Sequence, residues 1–333
     1  MNVLVTGGAG YIGSRLVADL VGAGAAVHAF DRLVYGGEAL LPFFGNPQFR
    51  FTAGDIRDGA AAAAALAGAD VVVHLAAVVG EQACAIDEES AVAINRDAAL
   101  ALLRAAEAKG VQRFVFISTC SNYGISDPQS PVDETAALKP LSLYARTKVE
   151  VEQACLAHDG NLAVTVLRFG TICGLSARMR FDLLINEMAA AAACGRRIEI
   201  YKPAAWRPFL HVADAARAVR QVLSADRELV ARRVFNVVGE NYQKRDLLAL
   251  ALRYYPNTPS VVSEARPDNR DYRVSAALIE RTLGFKPAHS IEEAFVETAE
   301  AVRAGVFHDS AWHGHSALPL PDRIGLLRAN GIG

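Results

Sequence analysis

Residues 2–13 read NVLVTGGAGYIG, a short apolar strand that runs into a glycine-rich turn and then into a segment with helical spacing of apolar residues. Gly7, Gly10 and Gly13 form the pattern G-x-x-G-x-x-G between strand and helix, which is typical of a dinucleotide-binding fold. Glycine permits the turn, lets a pyrophosphate approach main-chain N–H groups at the positive end of the helix, and lets helix and strand pack closely. A turn without a ligand is the alternative for an isolated glycine motif, and the flanking strand and helix favour the nucleotide.

The end of the second strand bears on which dinucleotide binds. Residues 26–30 are an apolar strand, and Asp31 follows directly. A carboxylate here accepts hydrogen bonds from the ribose hydroxyls of NAD and repels the extra phosphate of NADP. Arg32 comes next and could weaken that discrimination. We therefore expect NAD as the coenzyme.

Strands alternate with helical segments through the first half of the chain. Strands are predicted at residues 49–53, 70–75 and 113–118, and this alternation indicates right-handed crossovers in a parallel sheet. We expect an α/β fold, with a Rossmann-type doubly wound parallel sheet and a smaller mixed α/β substrate-binding lobe. Ligands of such sheets bind at the carboxyl ends of the strands.

Two carboxylates follow predicted strand ends. Asp55 could accept a hydrogen bond from an adenine amino group, or could cap the helix after it. Glu81 lies at the mouth of the fourth strand, either as a residue that reaches a substrate or as a solvated loop charge. The small residues of the stretch 76–80 let the backbone pass close to a coenzyme.

A phenol and an ammonium group are spaced by one helical turn. Tyr144 and Lys148 would share one face of a helix, and the positive charge would favour phenolate, so that the pair can exchange a proton nearer neutrality. Thr119, at the end of the strand 113–118, would orient a substrate oxygen toward that phenol. A solvated helix face is the alternative for such a pair taken alone.

Composition excludes several classes of protein. The chain has 333 residues, which favours two lobes, and 52% hydrophobic residues, which suits a compact protein. A net charge of -2 gives no electrostatic case for nucleic acid or an anionic membrane as a partner. No apolar run is long enough for a membrane span, and the chain opens on a strand pattern and not on a signal peptide.

The cysteine and histidine patterns argue against disulfides and metals. The five cysteines are widely spaced and lack a C-x-x-C pair, which favours a reducing compartment, and we expect a cytoplasmic protein. His308, His313 and His315 cluster near the end of the chain, but their spacing matches no common metal site, and we expect no metal.

The motifs, taken in order, resemble those of the extended short-chain dehydrogenase/reductases, and more narrowly those of the nucleotide-sugar epimerase/dehydratase branch. The resemblance covers residues 1 to about 300 and rests on several stretches: TGGAGYIG at 6–13, DI at 55–56, HLAA at 74–77, Asn95, STCSNYG at 118–124, Tyr144 with Lys148, LRFG at 167–170 and RPFLHVAD at 207–214. It implies a tightly held NAD that is reduced and reoxidised within one turnover, an NDP-sugar substrate and a homodimer. Helices over residues 98–108 and 149–157 could build the dimer.

The resemblance also implies roles for single residues. Thr119 would orient the substrate, Tyr144 would be the base, and Lys148 would support Tyr144 and bind the nicotinamide ribose. Asp31 would bind the adenosine ribose. The remaining predicted coenzyme contacts are Gly7, Gly10, Tyr11, Ile12, Gly13, Arg32, Asp55, Ile56, Leu75, Ala76, Ala77 and Asn95.

One departure from the family pattern affects the reaction. Related 4,6-dehydratases carry an Asp-Glu pair after the threonine, whereas this chain has Cys120 and Ser121. Serine cannot replace a carboxylate base at neutral pH, so ordinary dehydration is disfavoured. Cys120 is either a thiolate that exchanges a proton or a small buried residue that fills space.

Arginines beyond the first half are candidates for binding the substrate. Arg178 and Arg180, with Asn186, could face the sugar or the diphosphate, and surface arginines are the alternative. Arg207 and Arg270 are the predicted diphosphate contacts. We expect a dinucleotide-binding domain over residues 1–172, to which 208–238 returns, and a substrate-binding lobe over 173–207 and 239–333.

The predicted function is that of an NAD-dependent nucleotide-sugar epimerase that acts through a transient 4-keto sugar. A nucleotide-sugar dehydratase, with Cys120 or Glu81 acting on the carbon next to the ketone, and a 4-ketoreductase are the alternatives within the family. A non-catalytic dinucleotide sensor is the alternative from another class, but it predicts loss of Tyr144 or Lys148, and both are present.

Overall fold

A computed structural model describes residues 1–127, 130–263 and 270–307. Its strands are β1 (Asn2–Thr6), β2 (Ala26–Asp31), β3 (Phe49–Ala53), β4 (Val71–His74), β5 (Arg113–Thr119), β6 (Ala163–Phe169), β7 (Thr171–Cys173), β8 (Ile198–Tyr201), β9 (Trp206–His211), β10 (Arg233–Val237), β11 (Glu240–Gln243) and β12 (Ser260–Ser263).

The helices connect these strands and cover the sheets. They are α1 (Tyr11–Gly22), α2 (Gly59–Ala65), α3 (Glu81–Ile86), α4 (Glu88–Val92), α5 (Ala99–Ala108), α6 (Leu143–Leu156), α7 (Leu184–Ala193), α8 (Val212–Ser224), α9 (Arg227–Val230), α10 (Lys244–Tyr254), α11 (Ala277–Leu283) and α12 (Ile291–Arg303). Short 3₁₀ turns occupy Glu38–Phe43 and Cys120–Tyr123, and a π-helical turn, Ala93–Ala98, joins α4 to α5.

The main sheet has seven parallel strands in the order β10-β6-β5-β4-β1-β2-β3. Strands β1, β2 and β3 follow one another toward one edge of the sheet, and β4, β5, β6 and β10 follow one another toward the other edge. The strand order therefore reverses between the neighbours β1 and β4. A crevice opens at the carboxyl ends of the strands where the order reverses. Thr6 pairs with His74 at that edge, which brings the glycine turn beside the loop after β4. The predicted Rossmann-type α/β fold is confirmed.

Alternate side chains of β1 pack on opposite faces of the sheet. Val3 and Val5 pack into a core cluster that contains Leu16 of α1, whereas Leu4 packs into a second cluster that contains Leu102 of α5. All five side chains are buried. A strand covered on both faces is a continuous apolar run, which is why the sequence predicted this sheet.

Two smaller sheets lie beside the main one. One has the order β11-β9-β7, and the other pairs β12 with β8. A separate core cluster joins them to α7, α10 and α12 through Ile185, Phe209, Leu247 and Phe295. The boundaries predicted for the two lobes stay a prediction. Within the described ranges, no helix is long and apolar enough to cross a membrane.

Candidate active site

The glycine turn after β1 has a shape that only glycine allows. Gly7 has φ of +74°, and a Cβ added to it would lie 2.7 Å from the main-chain nitrogen of Ala76. A Cβ added to Gly13 would lie 2.1 Å from the carbonyl oxygen of Gly7. Gly10 precedes α1. The N–H groups in the first turn of a helix have no hydrogen-bond acceptor within that helix. This cradle fits the pyrophosphate of a dinucleotide.

Asp31 lies at the carboxyl end of β2, next to the turn. Its carboxylate accepts hydrogen bonds from the N–H groups of Ala9, at 3.0 Å, and Leu33, at 2.8 Å. Burial raises the pKa of Asp31, while these N–H groups act in the opposite direction. The carboxylate is therefore fixed in position, and its remaining lone pairs suit ribose hydroxyls.

Asp55 is engaged by two arginines. Arg57 donates to it at 2.7 Å, and the Nε of Arg32 lies 3.2 Å from the same oxygen. Burial opposes ionisation, but the bonds from Arg57 lower the pKa of Asp55. The short distance to Arg32 shows that its guanidinium lies beside Asp55. Ile56, next in the chain, is buried in the core under the sheet. Contacts of Asp55 and Ile56 with adenine stay a prediction.

Asn95 fixes the loop that follows β4. Its amide accepts from the N–H of Val78 at 2.7 Å and donates to the carbonyl of the same residue at 2.8 Å. Leu75 and Ala76 bond back to Thr6, so the stretch through Ala77 stays against the glycine turn. Asn95 is buried, and its contacts indicate that it positions this loop.

The predicted reaction centre forms at the carboxyl end of β5. Ser142 caps α6 by accepting from the N–H of Ala145, and Tyr144 enters the first turn of the helix. The phenol of Tyr144 lies close enough to the hydroxyl of Thr119 for that hydroxyl to lower its pKa. Thr119 also accepts from the N–H of Ser121 at 3.1 Å, which fixes its rotamer. The structure therefore brings Thr119 and Tyr144 together.

The electrostatics of Tyr144 differ from the prediction. Burial raises its pKa well above the ordinary value of a tyrosine, and the Cys84 thiol adds to this rise. The charge of Arg180 and the nearby hydroxyl of Thr119 act in the opposite direction. Lys148 bonds instead to the carbonyl of Ile117 at 2.9 Å, and burial lowers the pKa of Lys148 to about 8. A phenol pKa lowered by Lys148 was therefore the wrong expectation for the protein alone.

Cys120 lies in a packed environment. It is 1% exposed, its Sγ donates to the carbonyl of Arg168 at 3.3 Å, and it packs with Tyr123, Tyr272 and Val274. Burial raises the pKa of this thiol far above the ordinary value. A thiol that stays protonated supplies no base, so its surroundings favour a structural role over the predicted catalytic one.

A buried polar network beneath Thr119 was not anticipated from the sequence. Arg168 Nε donates to both carboxylate oxygens of Glu152, at 3.0 and 3.1 Å, and its Nη1 donates to the hydroxyl of Tyr123 at 2.7 Å. Ser118 donates to Glu152 at 2.9 Å. These contacts fix the 3₁₀ turn that follows Thr119. The available signal was Arg168, a charge inside the otherwise apolar run of β6.

Glu81 and Arg270 meet at the mouth of the cleft. Glu81 begins α3, and its Oε1 lies 3.3 Å from Nε of Arg270. Their side chains are 40% and 31% exposed, so both groups are accessible to solvent. The structure thus brings a predicted catalytic carboxylate and a predicted phosphate ligand into one ion pair.

Arg180, Asn186 and Arg207 are the remaining predicted substrate contacts. Arg180 lies near the phenol of Tyr144 and bonds to Asp182 at 3.1 and 2.5 Å. Asn186 is fully buried and holds main-chain groups, so its contacts favour a structural role. Arg207 is nearly buried, with its guanidinium 5.7 Å from the ring centre of Tyr272.

The described ranges contain no group of three potential metal ligands. His308, His313 and His315 lie outside those ranges.

Two relatives among characterised proteins are enzymes that act on nucleotide sugars. A dTDP-glucose 4,6-dehydratase of Streptomyces griseus is 33% identical over 310 residues, which cover 89% of this chain and 92% of the relative. A UDP-glucose 4-epimerase of Rhizobium leguminosarum bv. trifolii is 35% identical over 241 residues, or 65% of this chain and 70% of the relative.

Solved structures of two such enzymes superpose on this chain. A dTDP-glucose 4,6-dehydratase from Streptomyces venezuelae with NAD and TYD bound has a TM-score of 0.82 at 28% identity, and covers 94% of this chain and 99% of its own. A UDP-glucose 4-epimerase from Thermotoga maritima with UDP-glucose has a TM-score of 0.83 at 25% identity, covering 92% of this chain and all of its own.

A family model described as the NAD dependent epimerase/dehydratase family matches residues 3–238. This match spans the glycine turn, Asp31, Thr119, Tyr144 and Lys148. It confirms both the resemblance read from the sequence and the expected coenzyme, and the chain belongs to the NAD dependent epimerase/dehydratase family.

Proposed function

We propose that the protein is a nucleotide-sugar epimerase that acts through a transient 4-keto sugar. The observation that carries this proposal is the contact between Thr119 and Tyr144 at the edge of the sheet where the glycine cradle also lies. Bound NAD would accept and return the hydride. Gly7, Gly10, Gly13, Asp31 and Lys148 are the residues suited to hold it.

In this proposal Tyr144 takes the proton of the sugar hydroxyl and later returns it. Thr119 orients the sugar oxygen, and its hydroxyl beside the phenol favours phenolate. Arg180 supplies a positive charge that also favours phenolate. Burial opposes ionisation of Tyr144. Thr119 and Arg180 are therefore the residues that favour the phenolate form, and they contribute more to it than the spacing of Tyr144 and Lys148 suggests.

The positions after Thr119 support epimerisation over dehydration. Elimination of water needs an acid and a base beside the reacting carbons. Cys120 is a buried thiol that stays protonated, and Ser121 follows it. Epimerisation at C4 needs the sugar to present its other face and no second base. Glu81 is the carboxylate that keeps a dehydratase open as the second candidate, since the relative from Streptomyces griseus is a dehydratase.

Arg207 and Arg270 are proposed to bind the diphosphate of the NDP-sugar. Arg270 is partly exposed at the mouth of the cleft, and its ion pair with Glu81 can exchange for a phosphate because the pair is solvated. Arg207, which is nearly buried, would supply a guanidinium fork deeper in the lobe. A 4-ketoreductase is the remaining alternative, and the carboxylate of Asp31 argues against the exchangeable NADPH that it would use.

We also propose a homodimer built on the helices over 98–108 and 149–157, and a reducing, cytoplasmic location. All five cysteines are free thiols, which supports the latter. Size-exclusion chromatography with light scattering should give twice the mass of one chain.

The reaction can be identified with a panel of UDP-, dTDP-, GDP- and CDP-sugars in deuterated water, followed by NMR. A 4-epimer without solvent deuterium is the expected product. Deuterium at C5 with loss of water would instead assign a dehydratase. No change in any sugar by protein that holds NAD would contradict both.

Tyr144→Phe should reduce turnover by about 100- to 10,000-fold, since general acid–base catalysis contributes this range. Tyr254→Phe is the matched control, because that phenol is 44% exposed and bonds to Glu292. The Tyr144 variant should still bind the NDP-sugar. Full turnover in that variant would overturn the mechanism.

A further inference from the structure

Residues 174–182, which we call the strap, cross the start of α1. Gly174 accepts a hydrogen bond from the hydroxyl of Tyr11 at 2.5 Å, and its N–H donates to Asn186 at 2.9 Å. Asn186 also donates to that hydroxyl at 3.0 Å and to the carbonyl of Arg180 at 3.0 Å. Both ends of the strap are therefore tied to one buried amide.

The middle of the strap bonds to the same helical turn. The hydroxyl of Ser176 donates to the carbonyl of Tyr11 at 2.7 Å and lies 3.0 Å from that of Ser14. Met179 and Phe181 are buried in the core cluster that contains Tyr11. The strap thus lies against the first turn of α1, whose free N–H groups suit an anion.

Arg178, in the strap, lies near Asp31 at the end of β2, where the adenosine of a dinucleotide would bind. It is 6% exposed, and its guanidinium lies 4.2 Å from the ring centre of Tyr35. Asp31 is within electrostatic range, since each group shifts the pKa of the other. Burial, with the nearby charge of Arg180, lowers the pKa of Arg178 to about 10. A buried guanidinium stacked on Tyr35 is well placed to pair with an added anion.

We propose that Arg178 binds the pyrophosphate of NAD and that the strap keeps the coenzyme in the cleft between turnovers. A dinucleotide on this fold contacts the first turn of α1 and the carboxylate at the end of β2. The strap bonds to the first of these places through Ser176 and brings Arg178 near the second. A guanidinium on a strap that is bonded to the first turn of α1 would pair with the phosphates that this turn also binds. The proposal rests on the NAD dependence of the family and not on the sugar chemistry.

Arg180, two residues along, lies near Arg178 and also reaches the reaction centre. Its charge acts on the phenol of Tyr144 and it pairs with Asp182. The strap therefore carries one arginine for the coenzyme and one for the reaction centre. Release of NAD should depend on Arg178, and the kinetics of the sugar should depend on Arg180.

The test measures coenzyme release, not turnover. Protein loaded with NADH is chased with excess NAD, and the loss of bound NADH fluorescence gives the dissociation rate. Arg178→Ala should release NADH about tenfold to a hundredfold faster, as expected for loss of a charge-assisted hydrogen bond. Arg220→Ala, an exposed arginine on α8, should match wild type. Arg178→Lys, which keeps the charge but loses the fork, should fall between them.

Competition by ADP and by adenosine separates a phosphate contact from a change in cleft shape. Displacement of NADH by ADP should weaken about tenfold in Arg178→Ala, while displacement by adenosine stays unchanged. Equal weakening of both, or wild-type release of NADH, would overturn the proposal. If Arg178→Ala does not fold by circular dichroism, Arg178→Lys decides, and wild-type release by that variant overturns the proposal. These readouts hold even if no NDP-sugar is a substrate.

Discussion

The ammonium group of Lys148 donates a hydrogen bond to the main-chain carbonyl of Ile117 at 2.9 Å, so it is held at the end of β5. The same group lies 4.8 Å from the ring centre of Phe116. These contacts replace only part of the water that burial removes, and the pKa of Lys148 falls from 10.5 to about 8.

This depressed pKa predicts a rise in stability with pH. Between about pH 8 and 10.5, the unfolded chain binds a proton at Lys148 that the folded protein has lost. Since stability increases wherever the unfolded state binds more protons, wild type should gain on the order of 3 kcal/mol relative to Lys148→Met across this window. Urea unfolding of both proteins at matched NAD content measures the difference. A difference that is constant with pH would contradict the assignment.

Thr119 should matter through its hydroxyl. Thr119→Val removes the hydroxyl that lies beside the phenol of Tyr144 and is proposed to orient the sugar oxygen, and kcat should fall by about 100- to 1000-fold. Thr119→Ser keeps the hydroxyl and should stay within about tenfold of wild type. Steady-state kinetics on the sugar identified above give both values. Equal losses in the two variants, or a loss confined to Thr119→Ser, would contradict a role that rests on the hydroxyl alone.

Glu81 can be assigned by separating kcat from KM. If its role is to pair with Arg270, Glu81→Gln should change KM for the NDP-sugar by a few-fold at most and leave kcat unchanged, because exposed pairs contribute only about 0–1 kcal/mol. A catalytic acid or base would instead lose about 100-fold or more in kcat. Glu88→Gln, an exposed carboxylate at the start of α4, is the control. We expect the first result.

Gly13 should tolerate no side chain. Gly13→Ala would place a Cβ 2.1 Å from the carbonyl of Gly7, so the glycine turn and the helix must separate. Bound NAD should fall at least tenfold in the purified protein, measured by absorbance after denaturation, because the cradle that approaches the pyrophosphate is distorted. Gly22→Ala, on the same helix with open space around it, should retain NAD. Retention by both would contradict the role of the cradle.

The buried pair of Arg168 and Glu152 should be needed as a pair. Arg168→Met leaves a buried carboxylate without its cation, and the free energy of unfolding should fall by about 3–5 kcal/mol. Replacing both residues by Met should destabilise by less than the sum of the single changes, because neither charge is then left unpaired. Urea unfolding of the three variants tests this, and strict additivity would argue against coupling.

Local patterns predicted the sheet and its cleft well. Most strands of the main sheet are largely apolar, and glycine marks the turn at Gly7, so the parallel sheet and the site of the crevice follow from rules of chain connection. Thr119 and Tyr144 meet because one ends a strand and the other begins the next helix. Such features depend on residues that are near in sequence or on a fixed topology.

Burial and long-range contacts could not be predicted in this way. The spacing of Tyr144 and Lys148 gave their separation along a helix, but not the loss of water that raises the pKa of the phenol. Asn186 was predicted as a substrate contact because its bond to Tyr11, 175 residues away, cannot be read from the sequence. The interaction between Arg178 and Asp31 likewise arises from packing of residues that are distant in the sequence, and no spacing rule predicts it.

The pairing of Arg32 with Asp55 bears on how this cleft could be redesigned for a phosphorylated coenzyme. Removing the carboxylate of Asp31 alone would lift a repulsion without freeing the guanidinium of Arg32, which already faces another acid. Conversion to NADP would therefore need a second substitution at Asp55, so that Arg32 can turn toward the 2′-phosphate. Two separate positions, and not one, set the barrier between the two coenzymes.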